Sequence, residues 1–307
     1  MKLPIARTQL DTVAMGILVV CCAVWGMNQV AIKISNTGIT PILGAGLRSL
    51  VATLFLMAWC WIRGFRLFNR DGSLGHGIVI GLLFAGEFVF LYGGLVFTTA
   101  SHSVIFLYTA PFFVAVGAHL FLPDEPLRAR KVVGLALAFA GLWLAVADGL
   151  TFPTRRELLG DLLELIAALM WAATTVVIKR RIDLRLTPHK TLFYQLAFSA
   201  VVLIGLSLSV REAGVTDLRP LVVIAFFYQS VLVAFVSYLA WFWLLAHYPA
   251  SNLAAFSFWT PVFGVFAGGL LLGERISPLL WGAVALVALG IFLVNRPPRQ
   301  SARRPRR

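Results

Sequence analysis

The chain has 307 residues, of which 60% are hydrophobic and only 13% are charged, and its mean hydropathy is +0.88. Soluble domains carry about 25% charged residues, so this composition excludes an ordinary soluble protein and predicts a membrane protein. The net charge of +13 does not indicate nucleic-acid binding, because the Lys and Arg residues fall in short loops and in the tail "RPPRQSARRPRR". Cys21, Cys22 and Cys60 lie inside apolar segments and predict neither a disulfide nor a metal site.

Ten apolar segments follow one another along the chain, separated by polar or turn-forming stretches such as "SNTGITP" and "PDEPLRARK". A bilayer-spanning helix needs about 20 apolar residues, and lipid offers no water to open backbone, so each segment is predicted to be a helix. The predicted fold class is therefore an all-α polytopic membrane protein with ten transmembrane helices. These spans 1 to 10 cover residues 12–33, 41–62, 76–98, 101–122, 131–148, 158–179, 187–210, 219–246, 250–273 and 277–295.

Basic residues set the predicted orientation of the spans. With the N-terminus in the cytoplasm, 19 of the 26 Lys and Arg residues fall on the cytoplasmic side and six on the opposite side, while Arg48 lies within span 2. Cytoplasmic loops are enriched in Lys and Arg, so we expect both termini in the cytoplasm. No small-residue cleavage site precedes Trp25, so span 1 is predicted to be retained and not removed as a signal peptide.

The two halves of the chain repeat each other. "AVWGMNQVAIK" in span 1 matches "LMWAATTVVIK" in span 6, so that Trp25 pairs with Trp171 at an offset of 146 residues. "ASHSVIFLYTAP" in span 4 matches "ASNLAAFSFWTP" in span 9 at an offset of 150 residues. Further pairs at similar offsets are Lys33 with Lys179, Pro41 with Pro188, Arg48 with Gln195, Glu125 with Glu274, and Gly141 with Gly290.

Each repeat has five spans, and because five is odd, the second repeat enters the membrane upside down relative to the first. The predicted domains are a first repeat at 12–148, a second, inverted repeat at 158–295, and a basic cytoplasmic tail at 296–307. Inverted repeats are typical of alternating-access carriers, which bind substrate near the membrane midplane at the repeat interface. A duplication retained only for stability is the alternative interpretation.

At this point the chain resembles the drug/metabolite transporter superfamily, and in particular its ten-helix EamA-type permeases. The tryptophan in the first span of each unit, the Ala-Ser turns into spans 4 and 9, and the stretches "LLLGERISP" and "LFLPDEPL" carry the resemblance over residues 12–295. It implies a multi-pass carrier of the inner (plasma) membrane that exports amino acids or related small metabolites. The superfamily also includes drug, sugar-phosphate and nucleotide-sugar carriers, so those substrates stay open.

Three ionisable residues lie inside predicted spans, namely Arg48, Glu87 and Glu164. A charge deep in a span costs about 2.5–3.5 kcal/mol on insertion scales, so such residues usually serve a function or have a partner. Arg48 and Glu164 each lie about 10 Å below the outer surface, so a structural salt bridge between them is one interpretation. Glu87 lies near mid-depth with no evident partner, which favours its neutral form. It therefore suits proton coupling or binding of a cationic amine, with a neutral hydrogen-bonded glutamic acid as the alternative.

Aromatic and polar residues that share helix faces predict a substrate cavity between the repeats. Trp25 and Asn28 are three residues apart, and Trp25 and Gln29 are four apart, so they lie on one face of span 1. An apolar wall with a few polar groups is typical of a small-molecule site, although packing between helices is an alternative. The predicted cavity residues are Trp25, Asn28, Gln29, Glu87, Tyr92, Tyr108, Trp171, Thr174, Thr175, Tyr238, Trp241, Ser257 and Trp259.

Pro111 and Pro261 lie inside spans 4 and 9, where a proline removes a backbone hydrogen bond and permits a bend. We interpret them as hinges or as static kinks. Spans 5 and 10 carry no internal charge, so we expect them to be a peripheral scaffold or the face of a homodimer.

The expected partners are the lipid bilayer, a small-molecule substrate and coupled protons, without a cofactor, a metal, nucleic acid or a catalytic residue. An integral membrane enzyme is disfavoured, because the sequence has no His-Glu-x-x-His or Gly-x-Ser-x-Gly motif. A passive channel or scramblase stays the other alternative, and it would conduct without saturation or counterflow.

Overall fold

The apolar segments form a bundle of helices in the computed structural model, which describes residues 9–68, 72–150, 152–181, 187–273 and 277–296. In lipid only a helix satisfies every backbone N–H and C=O group within its own segment. The helices are α1 (Thr12–Ser35), α2 (Pro41–Ile62), α3 (Leu74–Leu95), α4 (Ala100–Leu107), α5 (Ala110–Phe121), α6 (Ala129–Val146), α7 (Arg155–Arg181), α8 (Pro188–Ser209), α9 (Pro220–Phe227), α10 (Tyr238–His247), α11 (Ala250–Phe256), α12 (Trp259–Leu272) and α13 (Leu279–Asn295).

Within the described residues, nine spans are long and apolar enough to cross a membrane, and α13 is a shorter apolar helix at the place of span 10. These segments confirm the all-α, ten-helix fold class. Span 4 is divided into α4 and α5, and span 9 into α11 and α12. Span 8 consists of α9, a π-helical segment at Tyr228–Ser237 and α10. The apolar pattern did not predict this π-helical segment.

Prolines and a capping residue define where several helices begin. Pro41, Pro188 and Pro220 occupy the first turns of α2, α8 and α9, where a backbone N–H has no partner within the helix in any case. The Asp11 carboxylate accepts a hydrogen bond from the N–H of Ala14 at 2.8 Å at the start of α1. We call the end of the bundle that holds the start of α1 the Asp11 end, and the opposite end the Pro41 end. The basic residues predict that the Pro41 end faces outward.

Contacts between helices repeat as an inverted duplication requires. α2 packs on its repeat equivalent α8, and α6 packs on its equivalent α13. The contact of α1 with α12 is matched by that of α7 with α5. Each half therefore uses the same surfaces to bind the other half, which is the packing expected of inverted repeats.

Glycines allow α6 and α13 to approach closely. A Cβ atom at Gly134 would lie 2.7 Å from the carbonyl oxygen of Gly290, and one at Gly141 would lie 2.8 Å from that of Ala283. Gly141 is equivalent to Gly290, and Gly134 to Ala283, at one offset of 149 residues, so the same contact occurs twice. Spans 5 and 10 thus pack on each other within the chain through small residues.

A second close approach joins the repeats at α1 and α12. A Cβ atom at Gly26 would lie 2.7 Å from the backbone nitrogen of Gly264 and 2.8 Å from the carbonyl oxygen of Thr260. This contact brings the Trp25 stretch of the first repeat against the second repeat. The predicted repeat residue Glu274 and the tail from residue 297 lie outside the described residues.

Candidate substrate cavity

A cavity of about 270 Å³ lies between the two repeats. Small-molecule pockets start at about 300 Å³, so this cavity suits a ligand no larger than a small metabolite. Both repeats contribute to its wall, through α1 to α4 from the first and through α7, α8, the π-helical segment, α10 and α12 from the second. The wall contains eleven of the predicted cavity residues: Trp25, Asn28, Gln29, Glu87, Tyr92, Tyr108, Trp171, Thr174, Thr175, Tyr238 and Trp241.

Ser257 and Trp259 do not line this cavity, contrary to the sequence-based prediction. The Ser257 hydroxyl donates to the carbonyl of Ala254 at 2.7 Å, and the Trp259 ring centroid lies 5.8 Å from that of Phe263. Both residues sit at the break between α11 and α12. The break at 257–258 lies inside span 9, which the sequence predicted as one continuous helix.

Trp25 is fixed in the wall by the second repeat. Its indole N–H donates to the hydroxyl of Ser237 at 2.8 Å, and that hydroxyl donates to the carbonyl of Val233 at 2.6 Å. The Trp25 ring meets the rings of Tyr238 and Trp241 edge-on, with centroid distances of 6.2 and 5.5 Å. Edge-to-face pairs of this kind add about 0.5–1.5 kcal/mol beyond burial, so this side of the cavity is preorganised.

The equivalent tryptophan of the second repeat has a different environment. The Trp171 ring meets the Tyr108 ring edge-on at a centroid distance of 5.8 Å. Thr174 and Thr175 donate their hydroxyl protons to the carbonyls of Met170 and Trp171 at 2.8 and 3.0 Å. Their protons are therefore used within α7, and only their oxygen lone pairs remain for a ligand.

One arginine from α2 and one glutamate from α3 line the cavity. Arg48 is 3% exposed, its Cζ atom lies 4.9 Å from the centroid of the Phe88 ring, and its Nε and Nη2 atoms have no hydrogen-bond partner among the described residues. Glu87 makes no hydrogen bond or ion pair with a described residue, although the charge of Arg48 acts on it. Arg48 lies about 10 Å from the start of α2, and Glu87 about 12 Å from the end of α3. The two groups therefore lie at a similar depth, although no ion pair joins them among the described residues.

Glu164 lies outside the cavity wall and is not paired with Arg48. Its Oε1 accepts a hydrogen bond from the Ser103 hydroxyl at 2.7 Å, and its Oε2 has no partner in the described part of the chain. Asp161, one helical turn away, lies 3.2 Å from His102 Nδ1. The salt bridge considered from sequence is absent, because equal depth in the membrane does not place two side chains on facing sides of their helices.

Two amide side chains of the wall have an unsatisfied acceptor. The Asn28 Oδ1 and Gln195 Oε1 atoms are buried and have no hydrogen-bond partner within the described residues. Both side chains line the cavity, one from each repeat. Buried polar groups are nearly always hydrogen-bonded in native proteins, so these oxygens indicate a ligand or water with N–H or O–H donors.

The helix breaks of spans 4 and 9 lie just before the predicted hinge prolines. Pro111 is in the first turn of α5, after the break at 108–109, and Pro261 is in the first turn of α12, after the break at 257–258. Tyr108 at the first break lines the cavity, and so does Thr260 just after the second. A change of angle at either break would therefore move the wall, so the hinge role stays a prediction with a defined location.

A glutamate at each end of the bundle caps a helix of the other repeat. At the Asp11 end, Glu125 accepts hydrogen bonds from the N–H groups of Ala250 and Ser251 at 2.7 and 3.0 Å. At the Pro41 end, Glu212 accepts from the N–H groups of Ile42 and Leu43 at 3.2 and 2.8 Å. A carboxylate is stabilised at a helix N-terminus, so both contacts bind the repeats together.

Glu212 lies in the loop between α8 and α9, outside the spans. Burial by itself raises the pKa of its carboxyl. Hydrogen bonds from the Ser207 hydroxyl, the backbone of Leu43 and Ile42, and the Thr40 hydroxyl together outweigh burial and hold the pKa below its usual range. The Glu212 contact is therefore charged at neutral pH.

A wider depression of about 570 Å³ lies at the Asp11 end of α2. Its lining is mostly apolar, includes Met57, Trp61 and Phe68, and comes from the first repeat alone. Trp61 and Phe68 are well exposed, as expected of side chains that face lipid near the membrane interface. It lacks the convergent polar groups of the cavity between the repeats.

Sequence analysis missed several residues of the cavity wall. Phe84, Phe88 and Leu91 of α3 line the cavity together with Glu87 and Tyr92. Phe84 and Leu91 lie three and four residues from Glu87, and Phe88 lies four residues from both Phe84 and Tyr92, which is helical spacing. That spacing was the signal that would have identified them. Gln195 was visible as the repeat equivalent of Arg48. Ser237 is not itself in the wall but holds Trp25, and it had no comparable signal, because this contact depends on the π-helical segment that ends at Ser237.

Residues 13–147 and 158–296 match the model of the EamA-like transporter family. The chain is 27% identical over 274 residues to an uncharacterized transporter of Bacillus subtilis, covering 88% of this chain and 92% of that one. It is 26% identical over 282 residues to a probable amino-acid metabolite efflux pump of Escherichia coli, covering 88% and 90%. A solved crystal structure matches with a TM-score of 0.80 at 20% identity over 92% of this chain and 96% of that chain, which shows a common fold.

Proposed function

The chain belongs to the EamA-like transporter family, and from that premise we propose that it is a secondary active carrier that exports amino acids or related small metabolites. It is a multi-pass plasma-membrane transporter of a small molecule. The observation that carries the proposal is the cavity between the inverted repeats, to which the equivalent residues Trp25 and Trp171 both contribute. The Escherichia coli relative, a probable amino-acid metabolite efflux pump, supports the substrate class.

Alternating access follows from the repeated contacts. Because the two halves pack through the same pairs of surfaces, exchanging their conformations gives a second packing of similar energy. In this mechanism the halves rock about the cavity, the breaks beside Pro111 and Pro261 act as hinges, and the Glu125 and Glu212 contacts alternate between closed and open. The substrate is then exposed to one side of the membrane at a time.

Export is tested by the medium metabolite profile of cells that overproduce the protein. The control cells carry a Trp25→Ala, Trp171→Ala double variant at equal membrane level. We expect a few related amino acids or amino-acid metabolites to accumulate only with the parent protein. Equal profiles, together with no amino-acid uptake into proteoliposomes of either protein, would contradict the proposed function.

The carrier mechanism is tested separately with purified protein in proteoliposomes. A carrier shows saturable uptake of labelled amino acid that is stimulated by unlabelled amino acid inside the vesicle. A passive channel or scramblase shows neither property. Uptake that does not saturate and is not stimulated by internal amino acid would therefore indicate passive conduction and contradict alternating access.

We further propose that Glu87 couples transport to protons. In the Glu87→Gln variant, uptake driven by an imposed pH gradient should be lost, while exchange of labelled for unlabelled substrate at equal pH persists. Glu157→Gln is the control, because Glu157 lies near the start of α7, away from the cavity. Unchanged gradient dependence in Glu87→Gln would remove Glu87 from the coupling mechanism.

A further inference from the structure

We propose that the cavity recognises a zwitterion, with Arg48 binding a carboxylate of the ligand and Glu87 binding its ammonium group. The inference rests on the proposed function and adds the residues that recognise the charged groups of the substrate. An α-amino acid with an apolar side chain is the ligand that the wall fits.

The Arg48 guanidinium presents an unused edge within a buried site. The Phe88 ring covers one face of the group at 4.9 Å, and the Nε and Nη2 atoms on its edge have no partner among the described residues. Two neighbouring N–H groups of arginine match the two oxygens of a carboxylate in a bidentate contact. A buried charge without a partner is strongly unfavourable, so a ligand carboxylate would supply the negative charge and the hydrogen-bond acceptors for these two nitrogen atoms.

Glu87 provides the opposite charge from α3. It lines the same cavity at a similar depth, yet no ion pair joins it to Arg48 in the described chain. A ligand with a single charge would satisfy one of the two groups and leave the other unpaired. A zwitterion satisfies both, and the unpartnered oxygens of Asn28 and Gln195 are further acceptors for ammonium N–H groups.

The rest of the wall indicates the side chain of the ligand. Trp25, Phe84, Phe88, Tyr238 and Trp241 give it aromatic surface. A volume of about 270 Å³ is small for a nucleotide sugar. A single arginine is also a weak match to a diphosphate, which arginine clusters normally bind. L-phenylalanine and L-leucine are therefore suitable probes.

The experiment measures exchange in proteoliposomes at equal pH on both sides, so that proton coupling does not contribute. Labelled L-phenylalanine competes with 2-phenylethylamine, which lacks the carboxylate, and with 3-phenylpropionate, which lacks the ammonium group. Labelled L-leucine competes with the corresponding amine and acid. We expect the parent protein to prefer each amino acid over both analogues by at least about tenfold, the size of one lost charge-assisted hydrogen bond.

The two variants should then change different preferences. In Arg48→Gln the preference for phenylalanine over phenylethylamine should collapse, while the preference over phenylpropionate is retained. In Glu87→Gln the preference for phenylalanine over phenylpropionate should collapse, while the preference over phenylethylamine is retained. If Glu87 served proton coupling alone, its variant would keep both preferences.

Arg156→Gln is the matched control for Arg48, because Arg156 also lies over an aromatic ring, that of Phe97 at 5.6 Å, but outside the cavity. Glu157→Gln is the control for Glu87, and both controls should keep the parent preferences. If Arg48→Gln does not fold, Arg48→Lys replaces it. That variant keeps the charge and should retain the preference over the amine, but it should bind phenylalanine about tenfold more weakly because the bidentate contact is lost.

Two outcomes overturn the inference in different ways. If amino acids exchange and both variants keep the parent preferences, the zwitterion site is wrong while the proposed function stands. If the parent protein exchanges neither phenylalanine, leucine nor any member of a labelled amino-acid mixture, the proposed function fails and the inference fails with it.

Discussion

The two repeats contribute walls of different charge to one cavity. The first repeat supplies Arg48 and Glu87, whereas the second supplies Gln195 at the position equivalent to Arg48. The tryptophans differ as well, because Trp25 is hydrogen-bonded to Ser237, whereas the Trp171 indole N–H has no hydrogen bond among the described residues and its ring meets that of Tyr108 edge-on. The duplication thus determines where helices lie, while single substitutions make the site asymmetric. An asymmetric ligand with opposite charges at one end needs such a site.

Substitutions in the contact between α6 and α13, to which both repeats contribute equivalent residues, should have the largest effect on stability. Gly290→Ala places a Cβ atom against the Gly134 carbonyl oxygen and 2.5 Å from the Ala138 nitrogen, both of them rigid backbone. Overpacking of this kind costs about 3 kcal/mol at the upper end, so the thermal unfolding temperature in detergent should fall clearly. The unfolding temperature of Gly141→Ala, which changes the equivalent contact, should also fall.

Gly205→Ala is the control for both glycine variants, since a Cβ atom there would have nothing within 4 Å. Alanine is favoured over glycine in a helix interior, so this variant should be unchanged or slightly more stable. Equal unfolding temperatures for all three variants would show that the α6–α13 contact is looser than described.

A charge swap tests whether the two walls are interchangeable. In the Arg48→Gln, Gln195→Arg double variant the guanidinium moves from α2 to α8 of the second repeat, which changes its position relative to Glu87. We expect phenylalanine exchange to fall by about 30-fold, corresponding to ~2 kcal/mol for a disrupted buried charge contact. Measurement uses the same proteoliposomes, with Arg48→Gln alone as the reference. Recovery of exchange in the double variant relative to that reference would mean that the asymmetry of the walls has no role.

The two tryptophans offer a smaller, paired comparison. Trp25→Phe removes the hydrogen bond to Ser237, whereas no described residue accepts a bond from the Trp171 indole N–H. Trp25→Phe should therefore lower the free energy of unfolding by about 1 kcal/mol more than Trp171→Phe, the net contribution of one hydrogen bond. Chemical denaturation in detergent measures the difference. A larger loss of unfolding free energy for Trp171→Phe would contradict the conclusion that Trp25 is the more firmly held of the two tryptophans.

The smallest expected effect concerns pH and the Glu212 contact. The folded-state pKa of Glu212 lies below its unfolded value of about 4.3. The contribution of the ionised Glu212 carboxylate to the free energy of unfolding is therefore complete above that unfolded value. It is lost as the pH falls through the folded pKa. Glu212→Gln should reduce stability by about 0.5 kcal/mol at pH 7, as expected for a charge at a helix N-terminus. The difference between the two proteins should decrease as the pH falls below that unfolded value, and a difference that does not change with pH would exclude charge as its cause.

Much of the cavity was predictable from local spacing. Trp25, Asn28 and Gln29 share a face because of the helical period, and the repeat carries the same argument to Trp171. Ser257 was predicted in the wall without such spacing, and it lies instead at the break between α11 and α12. Position along a span predicts depth but not neighbours, as Glu164 shows. Its depth was predictable, whereas its hydrogen bond with Ser103 was not.

The sequence alone determined the ten apolar helices and the inverted repeat, because length, apolarity and offset are properties of the linear chain. Tertiary structure decided which side chains meet. It brought Arg48 and Glu87 into one cavity without pairing them, and it separated Glu164 from Arg48. The physical reason is that the rotation of each helix about its axis depends on packing contacts such as Gly26 against α12 and on breaks such as the one before Pro261. Those contacts involve residues more than 200 positions apart in the chain, beyond the reach of any local pattern.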